Sequence, residues 1–346
     1  MYQSDLQKAT NLLVNDLLKT KKDEIFVITA DTEADDSVIK YIARSASMAG
    51  AKAMVVLIPT PLGVSMAADP FIPLEPLCGV LENADIWVEL NNKWLLYSTP
   101  FYRAKKNNPG LRHMCLTGTG ADTLVQCVGK VDYETMRRFS EKLCEKIRKA
   151  ENVRMVFEGG DEVTFRNAPE HPVSCKLGYA DKPGTHLFVG QISWTPELES
   201  IRGTICLNGS IAPDIGLLQT AVKLEVEKGR ILSISGGKEA KKFEDWLRGF
   251  NHAQMLCIAH AGLGFNPGAK LAGDILQDQR VWGSATWGFG SIGAGLLPPN
   301  GVEAPSHSDT VSINISIYLD GKPLWLSGDI ADEELIPFAK QLKKQY

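Results

Sequence analysis

Apolar residues in the first 150 positions fall into two spacings that take turns along the chain. Residues 3–20 place Leu6, Ala9, Leu12, Leu13, Leu17 and Leu18 three and four apart, the stripe of an amphipathic helix. EIFVIT (24–29) is a short unbroken apolar run and predicts a buried strand. From Asp31 to Gly50 the pattern is helical again, with Glu33, Asp35 and Asp36 near the start and a glycine at the end. KAMVVLI (52–58) is a second strand. A helix over Pro73–Asn83 follows, then the strands DIWVEL (85–90) and LRHMCLTG (111–118), then a long charged helix from Tyr133 to Ala150. Trp94, Phe101 and Tyr102 fall in the connection between those two strands, as a pocket edge or a cover for the core. Strands apolar on both faces, alternating with helices, require a mostly parallel sheet covered on both sides. An α/β domain is therefore expected over residues 1–150.

Past Glu151 the spacing shortens to alternation. VRMVFEGG, DEVTFRN, IRGTICLNG, VKLEVEKGRILSISGG and INISIYLDGKPLWLSGD read as strands and hairpins, with turn signals at Glu-Lys-Gly-Arg and Asp-Gly-Lys. Helices are expected only at Glu239–Phe250 and Asp332–Gln345. This is an α+β domain rich in antiparallel strands, over residues 151–346.

A chain of 346 residues suits two such domains. Its net charge of −4 gives no general attraction to nucleic acid or to an anionic membrane. Seven scattered cysteines, odd in number and never in C-x-x-C spacing, argue against a disulfide framework and a cysteine-rich zinc site, and suit a reducing cytoplasm. No apolar run is long enough for a transmembrane helix, and the N-terminus is an amphipathic helix without the pattern of a signal peptide.

The candidate chemistry lies between residues 255 and 320. In the stretch SHSDTVSINISIYL, an extended backbone would point His307 and Asp309 to one face and Ser308 to the other. A surface turn is the plainer reading of Ser-His-Ser-Asp. His260 ends the apolar run MLCIA and opens the glycine-rich segment Ala-Gly-Leu-Gly-Phe-Asn-Pro-Gly. Alone it is as well read as a core histidine. Together, two imidazoles and a carboxylate form a ligand set for a divalent transition metal, leaving coordination positions open. His186, in a turn-rich stretch ending at Gln191, is the candidate acid/base. Arg280 and Lys270 are cations that would orient a substrate anion or serve at the surface. His113, His171 and His252 read as background. Gly288-x-Gly290-x-x-Gly293 has the letters of a dinucleotide loop, but Pro298-Pro299 follows where the receiving helix would stand. Gly118-Thr-Gly120 reads as a turn. No G-x-S-x-G or H-E-x-x-H occurs.

AHAGLGFNPGAKLAGDIL, GSATWGFGS and SHSDTVSINISIYLDGK resemble segments of the M29, aminopeptidase T-like superfamily, and within it the 2,5-dihydroxypyridine 5,6-dioxygenases. The departures favour the second branch. The peptidase pattern begins Ala-Glu where this chain has Ala259-His260, and it places a histidine in the segment matched here by Thr286 and Trp287. It has a Glu where this chain has Gly190-Gln191. The resemblance implies a mononuclear Fe(2+) site on His260, His307 and Asp309 (Zn, Co or Mn being the alternatives) and a ring-cleaving dioxygenase. It implies a small aromatic substrate, a hydroxylated pyridine or similar N-heterocycle, with O2 as co-substrate, and a homo-oligomer. The alternative is an M29-type metal-dependent aminopeptidase. A third reading is a binding protein on an old enzyme scaffold. Against the dioxygenase pattern, residues 185–191 keep only His186 where a Trp and further His are expected.

Overall fold

A computed structural model describes residues 2–344 and divides into two units. The first runs to Val131 and takes up Lys176–Val189. The second comprises Asp132–Cys175 and the chain from Gly190 onward.

The first unit opens on helix α1 (Tyr2–Asn11), which continues as a wider π-helical turn over Leu12–Leu17. It then alternates β1 (Ile25–Asp31), α2 (Asp36–Met48), β2 (Lys52–Ile58), α3 (Leu74–Glu82), β3 (Ile86–Glu89), α4 (Thr99–Asn107), β4 (Arg112–Cys115) and the short α5 (Ala121–Leu124). Four strands and a later one, β8 (Gly184–Leu187), form a parallel sheet in the order β2-β1-β3-β4-β8. Two expectations shift here. Helix α2 starts at Asp36, after β1 has run to Asp31, because the Asp35 side chain accepts the Ser37 N–H at 2.9 Å and sets the N-cap. Phe101 and Tyr102, expected in a loop, lie on α4, started by the Ser98 cap and Pro100.

The second unit begins with α6 (Tyr133–Lys149). An expected domain boundary after residue 150 therefore differs from the structure, which divides after Val131. The reason is packing. Phe139 of α6 lies 5.2 Å from Phe265 and 5.7 Å from Trp282, both in the second unit. Residues 176–189 return to the first unit because β8 pairs with β4.

One sheet of this unit has eight strands: β5 (Asn152–Val156), β6 (Glu162–Arg166), β10 (Arg202–Leu207), β13 (Val222–Glu227), β14 (Arg230–Ser235), β18 (Ser316–Leu319), β19 (Lys322–Leu326) and β20 (Asp329–Ile330). Its two turn signals are tight two-residue hairpins. Lys228 and Gly229 have φ of 50° and 67°, and Asp320 and Gly321 of 47° and 79°, the double positive φ of a type I′ turn. The other sheet has seven strands: β7 (Ser174–Lys176), β9 (Gln191–Trp194), β11 (Ser210–Ala212), β12 (Gly216–Leu217), β15 (Ile258–Gly264), β16 (Ser284–Ile292) and β17 (Val302–Ser312), in the order β12-β11-β17-β16-β15-β9-β7. Three helices complete the unit, α7 (Lys238–Gly249), α8 (Ile275–Asp278) and α9 (Ile336–Lys343). The expected C-terminal helix thus begins four residues later than Asp332; Gln345 lies outside the described residues.

Strand β16, SATWGFGSI, explains why a site forms here. Alternation puts Ala285, Trp287 and Phe289 on one face. Trp287 meets Phe165 of the eight-stranded sheet edge-on at 6.0 Å, and Phe289 meets Phe243 of α7 at 5.8 Å. That face is core. The opposite face carries the small or polar residues Ser284, Thr286, Gly288 and Gly290.

Asp274 caps α8 by accepting the Leu276 N–H at 3.1 Å, but its other carboxyl oxygen is buried with no hydrogen-bond partner. Burial, then the like charge of Asp278, push this carboxyl up to about 7, although Arg280 pulls the other way. A raised folded-state value means that the folded protein holds a proton the unfolded chain has given up. Stability is full below the ordinary value near pH 4 and is lost as pH rises toward 7. Asp274→Asn keeps the cap. It is expected to stabilise the protein by on the order of 2 kcal/mol at pH 8 and to change little at pH 4, read by thermal unfolding at both pH values.

Candidate metal centre

His260 stands on β15, and His307 and Asp309 on β17. The strand between them, β16, decides whether they meet. In register, His260 pairs with Gly288, Gly288 with Asp309, and Gly290 with His307. Cross-strand partners point to the same face, so all three candidate side chains rise on the polar side of the sheet. Their strands are two ladders apart, about 9–10 Å between backbones. They meet only by leaning over the middle strand. Gly288 makes that possible: a Cβ there would lie 2.3 Å from His260 Nε2.

Two irregularities tune the meeting. The β15–β16 ladder skips a residue between Ile258 and His260, a bulge at Ala259, whose carbonyl is taken by the Thr195 hydroxyl at 2.9 Å. The β16–β17 ladder breaks after Gly290, and the Ser291 carbonyl there accepts the His307 Nδ1–H at 2.8 Å. This bond fixes the tautomer of His307 and leaves its Nε2 lone pair for the site.

The result is a triangle. His260 Nε2 lies 3.2 Å from Asp309 Oδ1, His307 Nε2 lies 3.4 Å from the same oxygen, and the two Nε2 atoms are 3.3 Å apart. The rings face each other at 5.3 Å. A first-row divalent ion bonded at about 2.0–2.2 Å needs donors about 2.8–3.6 Å apart for bond angles of about 90–109°. The three observed edges satisfy this. Asp309 Oδ1 is buried and, despite its neighbours, has no aligned hydrogen-bond donor; His260 Nδ1 is likewise buried without a partner. Burial by itself would raise the Asp309 carboxyl, yet the facing imidazoles outweigh it and hold it well below the usual carboxylate range. Burial likewise works against a charge on His307, but Asp309 and the Ser291 carbonyl raise its pKa. A buried carboxylate that gathers positive charge, flanked by two imidazoles, is a donor set suited to a dication.

Other residues singled out in the sequence stand elsewhere. His186 is on β8 of the first unit, half-buried, its Nε2–H donating to the Lys182 carbonyl at 2.9 Å. Burial lowers its pKa, so the ring is neutral near pH 7 with Nδ1 as its basic atom. Arg280 is fully buried and donates to the Leu276 carbonyl, which rules out a surface role for it; Lys270 is exposed. His171 bonds the Thr195 carbonyl, and His252 caps a short 3₁₀ turn.

His113 is more than background. It belongs with Glu89 and Cys115 to the second group of metal-competent side chains among the described residues. Alternation along β3 and β4 toward their C-terminal ends was the signal that could have found it. Here both carboxylate oxygens are already engaged. Glu89 Oε2 meets His113 Nε2 at 2.9 Å, and Oε1 accepts the N–H groups of Leu95 and Leu96, while Trp87 stacks on the His113 ring at 3.9 Å. This group ties the loop after β3 to the sheet.

The family model described as 2,5-dihydroxypyridine 5,6-dioxygenase matches residues 12–332. A curated 2,5-dihydroxypyridine 5,6-dioxygenase from Pseudomonas putida is 31 % identical over 175 residues, 48 % of this chain and 50 % of the relative, so the match spans about half that relative's length. Among solved structures, 2,5-dihydroxypyridine dioxygenase from Pseudomonas putida KT2440 superposes with a TM-score of 0.76 at 22 % identity, covering 96 % of this chain and 99 % of that one. AmpT from Thermus thermophilus superposes with a TM-score of 0.70 at 14 % identity, covering 96 % and 100 %. Both structures share this two-unit fold.

Gly288→Ala is expected to push His260 out of the triangle. Affinity for a divalent transition metal, measured by anaerobic titration, should fall at least about tenfold. Far-UV circular dichroism should stay that of the wild type.

Proposed function

The chain belongs to the 2,5-dihydroxypyridine 5,6-dioxygenase family, and from that premise we propose that it is a ring-cleaving dioxygenase of a hydroxylated pyridine or similar N-heterocycle, with Fe(II) held by His260, His307 and Asp309. The observation that carries this reading is the convergence of two imidazole nitrogens and one carboxylate oxygen over a glycine. Two histidines and one carboxylate with open positions are the ligand pattern of non-haem Fe(II) oxygenases. Bound there, Fe(II) would supply adjacent sites for O2 and a ring hydroxyl and the means to pass electron density between them.

The rest falls to the chain's own side chains. One carboxylate among neutral imidazoles leaves a dication with a net charge of about +1, which favours an ionised ring hydroxyl as ligand. Burial of His260 and His307 keeps bulk water from the donor atoms, so that the attraction for an anionic ring is not screened. The Ser291 carbonyl holds His307 in the tautomer with Nε2 unprotonated. We place the enzyme in the cytoplasm; among the described residues no helix is long and apolar enough to cross a membrane, and none of the cysteines is bridged.

Protein purified without a histidine tag and loaded anaerobically is expected to hold about one iron per chain and to consume O2 with 2,5-dihydroxypyridine or a relative. His260→Ala and His307→Ala should each lower turnover at least about a hundredfold with loss of iron. Full turnover in either ligand variant overturns the assignment. Turnover of a leucyl peptide without O2 would instead mark the metallopeptidase reading.

A further inference from the structure

All seven cysteines are free thiols, and two of them share one place in the second unit. Cys144 is buried on α6, and Cys175 is half-buried on β7. The backbone brings them together. The Asn167 amide donates to the carbonyls of Ile147 and Ala150 at 2.8 and 2.9 Å, which ties the chain before β7 to the end of α6. Arg148 of α6 donates to the Val173 carbonyl at 3.2 Å. From that bond, Cys144 lies one helical turn back, about 6.0 Å. Cys175 lies two strand residues forward, about 6.6 Å. The two steps match, so the two side chains fall opposite each other, and a hydrogen bond joins their sulfurs.

The contact is polarised. The hydrogen bond to Cys175, then burial, hold the Cys144 thiol well above the usual thiol range; the Arg148 charge opposes this and the Glu141 charge adds to it. The group that keeps its proton is the donor, so Cys144 gives its S–H to the Cys175 sulfur. Such a donor favours the thiolate of Cys175. Cys175 is also the more exposed of the two. Thiolate character and access decide which cysteine meets an oxidant first. The other half-buried cysteine, Cys257, gives its S–H to the Ala253 carbonyl at 3.6 Å instead of to a thiol.

We infer that Cys144 and Cys175 are a redox pair that closes to a disulfide under hydrogen peroxide, with Cys175 attacking and Cys144 resolving. The Cys175 thiolate attacks one peroxide oxygen and the O–O bond breaks. Hydroxide leaves and takes up the proton that Cys175 had released, giving water. Cys175 is then a sulfenic acid, S–OH. The Cys144 sulfur gives up its proton and attacks the Cys175 sulfur. The S–O bond breaks, and a second water leaves with that proton. Two thiols are oxidised to one disulfide, and one peroxide is reduced to two waters. A dithiol reductant reverses the bond by exchange. Cys175 is the last residue before the chain leaves the second unit, so the bridge fastens that point of departure to α6.

Peptide mapping without reductant tests this on the full chain, after brief peroxide treatment with a chelator to hold back iron-driven oxidation. A linked peptide holding Cys144 and Cys175 is expected, two hydrogens lighter than its parts, with two of the seven thiols lost to titration. Dithiothreitol should restore both. The oxidised chain should melt about 5 °C higher than the reduced one, because the bridge closes a loop in the unfolded chain. In Cys144→Ser, Cys175 should stop at the sulfenic acid, trapped by dimedone, with no link formed. In Cys175→Ser, Cys144 should stay a thiol. The wild-type map decides the matter even where a variant folds poorly. Peroxide that leaves both cysteines as free thiols, or joins either to a different cysteine, overturns the proposal. A sulfenic acid on Cys144 in Cys175→Ser overturns the order of attack.

Discussion

The missing side chain at Gly288 is the constraint on which the site rests. The three candidate ligands on β15 and β17 are separated by a whole strand, and strand spacing is fixed by backbone hydrogen bonds. Imidazole is long enough to lean across one strand width. It can do so only where nothing stands in its path, and a Cβ at Gly288 would be 2.3 Å from the leaning nitrogen. Everything else in the centre refines this clearance. The bulge at Ala259 sets where His260 stands on its strand, and the Ser291 carbonyl sets which nitrogen of His307 faces inward.

The sheet can tolerate such a polar face because its other face is so well packed. Trp287 and Phe289 of the middle strand lock against Phe165 and Phe243. Burial of large rings on one side offsets the desolvation of two imidazoles and a carboxylate on the other. Family membership and the fold shared with two solved structures place this arrangement on a known scaffold. The functional reading comes from the donor set, not from the scaffold, since one fold serves more than one chemistry.

How far the sequence could be read follows from which features are local. The alternation that sends His307 and Asp309 the same way is visible in three letters, and so are the two hairpins, since a turn with double positive φ favours a glycine at its second position, here Gly229 and Gly321. The parallel and antiparallel character of the two layers is also carried by spacing alone. Features that depend on register are not visible. Nothing near Gly288 says that it faces His260, and its place in a G-x-G-x-x-G string suggests a phosphate loop instead. Within residues 176–189, the strand Gly184–Leu187 pairs with one seventy-two positions upstream, so no local signal returns the segment to the first unit. His113 looks unremarkable until β3 brings Glu89 beside it.

The most direct test of the account is an anomalous difference map at the iron edge from crystals loaded anaerobically with Fe(II). One strong peak per chain is expected, at bonding distance from Nε2 of His260, Nε2 of His307 and Oδ1 of Asp309. No peak there, or a dominant peak beside Glu89, His113 and Cys115, would contradict it.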